Sequence, residues 1–239
     1  MLELIRGGLV VSCQAPISSP LRRPDILAAM AQSCMHGGAK AIRADGPDSI
    51  SAIKHATALP IIGIYKIPRV SARPWITPSL ELARQLVKAG ADAVALEFTA
   101  EAEANYGLNA THLLSSIQSE LGVPVIADIS TFEEGLRAWQ AGADAVATTL
   151  SGYTPYSRQR SAPDIELVRH LAAAGIRVIA EGRIRKPEQA AEALRAGAWA
   201  VVVGDAITNP LAITSWFVRA LRREVDLDDD GAGDRWGAD

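Results

Sequence analysis

The chain has 239 residues, 49% of them hydrophobic, a formal net charge of −3 and only 5% aromatic side chains. With charges of both signs interspersed, it offers no basic field for a polyanion and little surface on which bases could stack, so nucleic-acid binding is excluded as its main task. Cys13 and Cys34 give neither a disulfide framework nor metal-ligand spacing, and no stretch reads as a signal peptide or a membrane span; reduced structural thiols in a soluble cytoplasmic protein without membrane contact are expected.

Met1 to Gly8 is expected to form a short plug or an extra turn at one end of the fold. Beyond it, short apolar runs that do not alternate predict strands near 9–13, 39–43, 61–65, 92–97, 123–127, 144–148, 176–180 and 199–203. Runs such as VIA and AVVV suit strands covered on both faces, hence a parallel sheet enclosed by helices. Helices are expected near 25–36, 47–57, 78–89, 110–121, 132–141, 164–174, 187–196 and 210–222. Pro24-Asp25, Pro47-Asp48, Thr77-Pro78, Pro163-Asp164 and Asn209-Pro210 place proline or a capping oxygen at helix starts.

A repeat joins these elements. Gly38-Ala39, Gly90-Ala91, Gly142-Ala143 and Gly197-Ala198 each end a helix and open a strand, at spacings of 52, 52 and 55 residues. Each repeat is two βα units long, and four of them make eight. Glycine supplies the left-handed residue that ends each helix, and the alanine after it permits close packing. Eight strands alternating with eight helices predict a single (β/α)8 TIM barrel over residues 1–224, with a doubly wound open sheet as the less consistent arrangement. Residues 225–239 are acidic and glycine-rich and are expected to form a flexible tail.

Active sites of such barrels lie at the C-terminal ends of the strands. The polar residues there include Gln14, Arg43, Asp45, Lys66, Glu97, Asp128, Thr149, Tyr153, Glu181, Arg183 and Asp205. None is histidine; His36, His55, His112 and His170 fall on outer helices, which argues against a histidine-built metal site and toward proton transfer without metal or cofactor. Lys66 leaves a dry strand for the mouth, where burial and a nearby arginine would lower its pKa toward that of a base or Schiff-base nucleophile. Glu181, a carboxylate among apolar strand ends, is its complementary acid or base, with a salt bridge to Arg183 or Arg185 as the competing role. Asp128 is expected to face the mouth, because Ser130 or Thr131 lies better placed to cap the next helix. Arg43 and Gln14 suit contact with an oxyanion or a sugar oxygen, and the turns at Gly182 and Gly204 with Asp205 suit a phosphate.

The motifs VSCQAP, GGAKAIRAD, LPIIGIYK, ITPS, ADIST, ATTLSGYT, VIAEGRI and AVVVGDAIT, spread from about Gly8 to Phe217, resemble the N-acetylmannosamine-6-phosphate 2-epimerase family. The resemblance implies a cofactor-free enzyme that moves the C2 proton of an N-acylhexosamine 6-phosphate. It assigns the proton chemistry to Lys66 and Glu181, substrate contacts to Gln14, Arg43, Asp128 and Arg183, and the phosphate to the last glycine turn. It also implies a homodimer. Three stretches depart from the family pattern: Lys66-Ile67-Pro68-Arg69 stands for Lys-Arg-Asp-Tyr, Glu101 and Glu103 stand for two arginines, and Asn209 stands for an arginine. The alternatives are a related sugar as substrate, aldolase chemistry through a Lys66 Schiff base, and a barrel that binds a sugar phosphate without turning it over.

Overall fold

Eight apolar runs become parallel strands because every backbone amide must be paired in a region that water does not reach, and the helices between them cover the outer face. The computed structural model describes residues 1–70 and 72–225. The elements are β1 (Leu9–Cys13), α1 (Pro24–His36), β2 (Ala41–Asp45), α2 (Pro47–Ala56), β3 (Ile61–Ile64), β4 (Lys66–Arg69), β5 (Ala72–Ile76) and α3 (Leu80–Lys88). They continue with β6 (Ala93–Glu97), α4 (Ala100–Tyr106), α5 (Ala110–Leu121), β7 (Val125–Asp128), α6 (Phe132–Gln140), β8 (Ala145–Ala147) and α7 (Ile165–Ala173). The last are β9 (Val178–Ala180), α8 (Pro187–Arg195), β10 (Ala200–Val203), α9 (Asp205–Thr208) and α10 (Pro210–Val225). Strands in the order β1-β10-β9-β8-β7-β6-β3-β2 close into the expected barrel.

The four repeat glycines behave as the sequence implies: Gly38, Gly90, Gly142 and Gly197 have φ of +93°, +109°, +94° and +101°. A side chain at any of them would meet backbone strain, so the repeat is a steric requirement of the fold. Capping also follows the sequence. Thr131 and Glu134 form a reciprocal capping box at α6, and Asp164 accepts from the Leu167 N–H at the start of α7. That frees Asp128 from the capping role, as expected.

Inside the barrel the two-residue period of a strand decides everything. Val10, Ala41, Ile62, Ile64, Ala93, Ala95, Ile126, Ala145, Ala147, Ile179, Ala200 and Val202 form the inner cluster, and Leu2 and Ile5 of the first 3-10 turn close its N-terminal end. The plug expected at Met1 to Gly8 is therefore present, fastened where the Trp199 Nε1–H donates to the Leu2 carbonyl at 2.9 Å. The other parity, including Val11, Cys13, Ile42, Ile61, Val94, Leu96 and Val146, packs on the helices. Both cysteines are free thiols, Cys13 in that outer layer and Cys34 against it from α1.

Four elements, β4, β5, α4 and α9, were not expected. Lys66–Arg69 and Ala72–Ile76 pair as an antiparallel hairpin, β4 on β5, outside the barrel sheet, and α3 starts at Leu80 behind a Ser79 cap rather than at Thr77-Pro78. Thr77 instead locks the hairpin base: its hydroxyl donates to the Ala95 carbonyl at 2.7 Å and accepts from the Tyr65 N–H at 3.0 Å. The short helices α4 and α9 lie in the loops after β6 and β10. The acidic tail expected from 225 onward lies, past Val225, outside the described residues.

Candidate active site

The inward parity continues past the last apolar layer. Two residues beyond Ala41 comes Arg43 and then Asp45; beyond Ile64, Lys66; beyond Ala95, Glu97; beyond Ile126, Asp128; beyond Ala147, Thr149; beyond Ile179, Glu181. The chain thus has one polar layer laid on an apolar plug at the C-terminal ends of the strands, where the barrel opens.

Arg43 is the centre of that layer. Its side chain is 2% exposed, and its guanidinium grips the fully buried Asp128 carboxylate with two parallel bonds, Nη1 to Oδ1 at 3.0 Å and Nη2 to Oδ2 at 2.5 Å. Nη1 also stands 3.1 Å from Glu181 Oε2. Burial works against the Arg43 charge, but Asp128 and Glu181 outweigh it, so the group remains a fixed cation above its ordinary value. Thr149 donates its hydroxyl toward both carboxylates, at 2.8 Å to Asp128 Oδ1 and 2.9 Å to Glu181 Oε2.

Glu181 and Lys66 are pushed the opposite way from such fixed ions. Burial raises the Glu181 carboxyl, reinforced by the charge of Asp128 and opposed by Arg43, Thr149 and Lys66. Burial lowers the Lys66 ammonium, reinforced by Arg43 and Arg22 and opposed by Asp45 and Glu181. Each therefore favours its neutral form more than it would in water, which is what a carboxyl that delivers protons and an amine that takes them require. Each influences the other's charge across the barrel mouth.

Lys66 is held at its backbone as well. Its N–H donates to Asp45 Oδ1 at 3.0 Å, and it pairs with Ile76 in the hairpin. The hairpin in turn is pinned to the β6 side of the mouth: Arg73 forks onto Glu97 at 2.9 and 2.6 Å and reaches Glu101 at 2.8 Å, while Arg69 meets Glu101 at 3.0 Å. Arg69 also lies over the Trp75 ring, 3.9 Å from its centroid. Glu101 and Glu103, which read from sequence as acidic gains at the mouth, are neutralised by Arg69, Arg73 and Arg137.

The remaining sequence candidates divide. Gln14 donates to the Ser12 hydroxyl at 2.7 Å, and its amide oxygen is buried with no partner, a free acceptor at the end of β1. Gly182 has φ of +108°, conformationally reserved for glycine, and Gly204 sits close on Ser12 before α9. Asp205 accepts from Asn209 Nδ2 at 3.0 Å. Arg183 does not pair with Glu181: its guanidinium donates to the Ser151 and Ala162 carbonyls and stacks 4.3 Å from the Tyr153 ring, fixing the loop after β8. Tyr153 itself is 51% exposed at the rim. The salt bridge weighed for Glu181 with Arg183 or Arg185 is thus replaced by one with Arg43. Asp45, Arg22, Arg69 and Arg73 were assigned no role from sequence; the strand parity of Asp45, two places beyond Arg43, was the signal available for it.

A family model described as "Putative N-acetylmannosamine-6-phosphate epimerase" matches residues 27–223. Proteins named "Putative N-acetylmannosamine-6-phosphate 2-epimerase" from Caldanaerobacter subterraneus subsp. tengcongensis and Cutibacterium acnes are 45% and 46% identical, over 93% of this chain and 94% and 97% of theirs. The solved N-acetylmannosamine-6-phosphate 2-epimerase from Clostridium perfringens superposes with a TM-score of 0.85 at 42% identity, covering 92% of this chain and 95% of that one. A thiamine phosphate pyrophosphorylase from Pyrococcus furiosus, at 17% identity and TM-score 0.56, shares the fold alone.

Proposed function

Because this chain belongs to the N-acetylmannosamine-6-phosphate epimerase family, we propose that its barrel mouth interconverts N-acetylmannosamine 6-phosphate and N-acetylglucosamine 6-phosphate by moving the proton at C2. The observation that carries this reading is the layer just described, in which an amine and a carboxyl, both driven toward neutrality, flank a fixed buried guanidinium.

In the open-chain sugar, C2 lies beside the C1 carbonyl, and removing its proton places negative charge on the carbonyl oxygen. Lys66 takes the C2 proton: the C2–H bond breaks, an N–H bond forms, and the electron pair moves onto C1–O. Arg43 meets the developing oxyanion without reorganisation, since Asp128 already holds its plane, and such preorganised charge commonly supplies the largest part of a rate enhancement. Glu181, held toward its neutral form, gives its proton to the opposite face of the planar carbon as the C1–O pair closes back to the carbonyl, which inverts C2; the Lys66 ammonium and the Glu181 carboxylate then reset by proton exchange with solvent. Gln14 and Thr149 hold sugar oxygens and Asp128 positions Arg43. The phosphate meets the Gly182 and Gly204 turns ahead of α9 and near Asp205, where backbone N–H groups are available before the helix begins. Tyr153 and Arg183 shape the rim. No cofactor or metal enters the scheme.

The test is proton NMR in D2O with N-acetylmannosamine 6-phosphate and with its unphosphorylated counterpart. Deuterium is expected at C2 together with the gluco epimer, and the phosphorylated sugar is expected to react faster. Lys66→Ala is expected to be silent and Glu181→Gln to be slower by about 10²–10⁴-fold. Exchange by Lys66→Ala at the wild-type rate would remove the proposed base, and borohydride trapping of sugar on Lys66 would favour aldolase chemistry.

A further inference from the structure

We propose that Asp45 is a positioning residue for Lys66 and that Arg22 is its counterweight, the two together setting how readily the lysine gives up its proton. The inference rests on the reading of Lys66 as the base.

The geometry is that of a clamp. Asp45 is the last residue of β2, its side chain 11% exposed, and its Oδ1 accepts from the Lys66 backbone N–H at 3.0 Å. Because β2 and β3 are paired in register up to Asp45 and Ile64, that bond carries the pairing past the sheet and fixes where β4 leaves the barrel. The lysine side chain therefore starts from a backbone that cannot slide. Oδ2 of the same carboxylate lies 3.6 Å from Arg22 Nη2, and the Arg22 Nη1–H is tied to the Ala15 carbonyl at 3.2 Å. Arg22 belongs to the loop between β1 and α1, is 43% exposed, and takes no part in the layer of Arg43, Asp128 and Glu181.

Four charged groups bear on the lysine: Asp45 and Arg43 from β2, Glu181 from the end of β9, and Arg22 from the loop above. Arg43 and Glu181 are committed to the chemistry, one as a fixed cation and one as a proton holder. Asp45 and Arg22 are free of that duty, so they can adjust the lysine without touching the oxyanion contact. Asp45 favours the charged amine and Arg22 disfavours it. Removing Arg22 would act twice in the same sense, because its own charge goes and the Asp45 carboxylate loses its neutralising partner.

The experiment compares wild type, Asp45→Asn and Arg22→Gln as full-length chains with lysine labelled with ¹³C at the ε carbon, following the Lys66 resonance, assigned with Lys66→Ala, against pH beside kcat/KM. Asp45→Asn is expected to move both the resonance titration and the acidic limb of kcat/KM to lower pH; Arg22→Gln is expected to move both to higher pH. At one pH on that limb, each variant's rate relative to its own plateau should change by about three- to tenfold, in opposite directions. A residue that merely held the loop would lower the plateau and leave limb and titration in place, which would overturn the proposal, as would a shift of both variants in one direction. Should Asp45→Asn not fold, the direction of Arg22→Gln decides alone. C2 exchange surviving in Lys66→Ala would instead condemn the base assignment, whatever the two tuning variants do.

Discussion

Lys66 illustrates what a functional side chain costs a fold. Arg43 and Asp128 are buried as a matched pair, each answering the other's charge, but Lys66 sits where burial pushes its ammonium below the ordinary value of 10.5. A folded-state pKa below the unfolded one means that the folded protein binds fewer protons. The penalty is full at pH below the folded value and fades as pH rises to the unfolded value, where both states are neutral. Lys66→Met is therefore expected to abolish turnover and to raise Tm near neutral pH, by about 2–4 °C for each kcal/mol relieved in a chain of this size. The gain should shrink as the solution approaches pH 10.5. Thermal melts of wild type and variant across pH check this, and a lower Tm for the variant at neutral pH would show that the hairpin depends on the lysine stem for packing more than the charge costs.

Among the elements, the β4–β5 hairpin carries the proposed base and was the least legible. The barrel strands announced themselves through repeated apolar runs and the Gly-Ala steps, whose positive φ is a steric demand that only glycine meets cheaply, and inward parity then placed Arg43, Asp128, Thr149 and Glu181 on one layer. The hairpin gave no such pattern. Pro68 and Pro74 interrupt it, its strands are four and five residues long, and its stability comes from partners distant in sequence, Glu97 and Glu101. α4, AEAEANY, lacks an apolar stripe for the same reason: one of its buried residues is Glu101, which reads as surface until Arg69 and Arg73 are seen to meet it. Charges separated by roughly thirty residues have no local signature. The clamp predicts a specific failure. Glu101→Ala removes the Arg69 ion pair and one of the three Arg73 bonds to carboxylates, while Glu97 still holds Arg73. Hydrogen exchange is expected to speed up in residues 66–76 and not in the barrel strands, and kcat/KM to fall about ten- to a hundredfold, because a base displaced by an ångström loses much of its advantage. Unchanged exchange in the hairpin would mean that Glu97, Thr77 and Asp45 suffice to hold it.

For the whole molecule, α10 is the element that a single chain does not satisfy. Among the described residues it contributes no side chain to either core cluster, although the helix after the last strand of a closed barrel ordinarily packs on the outer wall. Phe217 and Leu221 are 68% and 64% exposed and Leu211 and Val218 are exposed beside them, while Trp216 is covered by the Arg185 guanidinium, 4.6 Å from its ring. An open apolar groove lies on the wall over β1 and α1, lined by Leu9, Val11, Ile26, Met30 and Ile207. An apolar helix without a seat and an apolar seat without a helix, on one chain, fit a homodimer in which each copy covers the other, and a second copy supplies the complementary surface by symmetry. Burying four such side chains contributes about 1.5–3 kcal/mol each, so one copy of the contact falls within the range of an association cost of about 4–15 kcal/mol, and the two copies that symmetry supplies exceed most of that range. Light scattering on a sizing column is expected to give twice the chain mass, and Phe217→Asp with Leu221→Asp to give the monomer. A wild type that stays monomeric at tens of micromolar would leave α10 to fold back on its own barrel, and its groove would then have to be filled from within the chain.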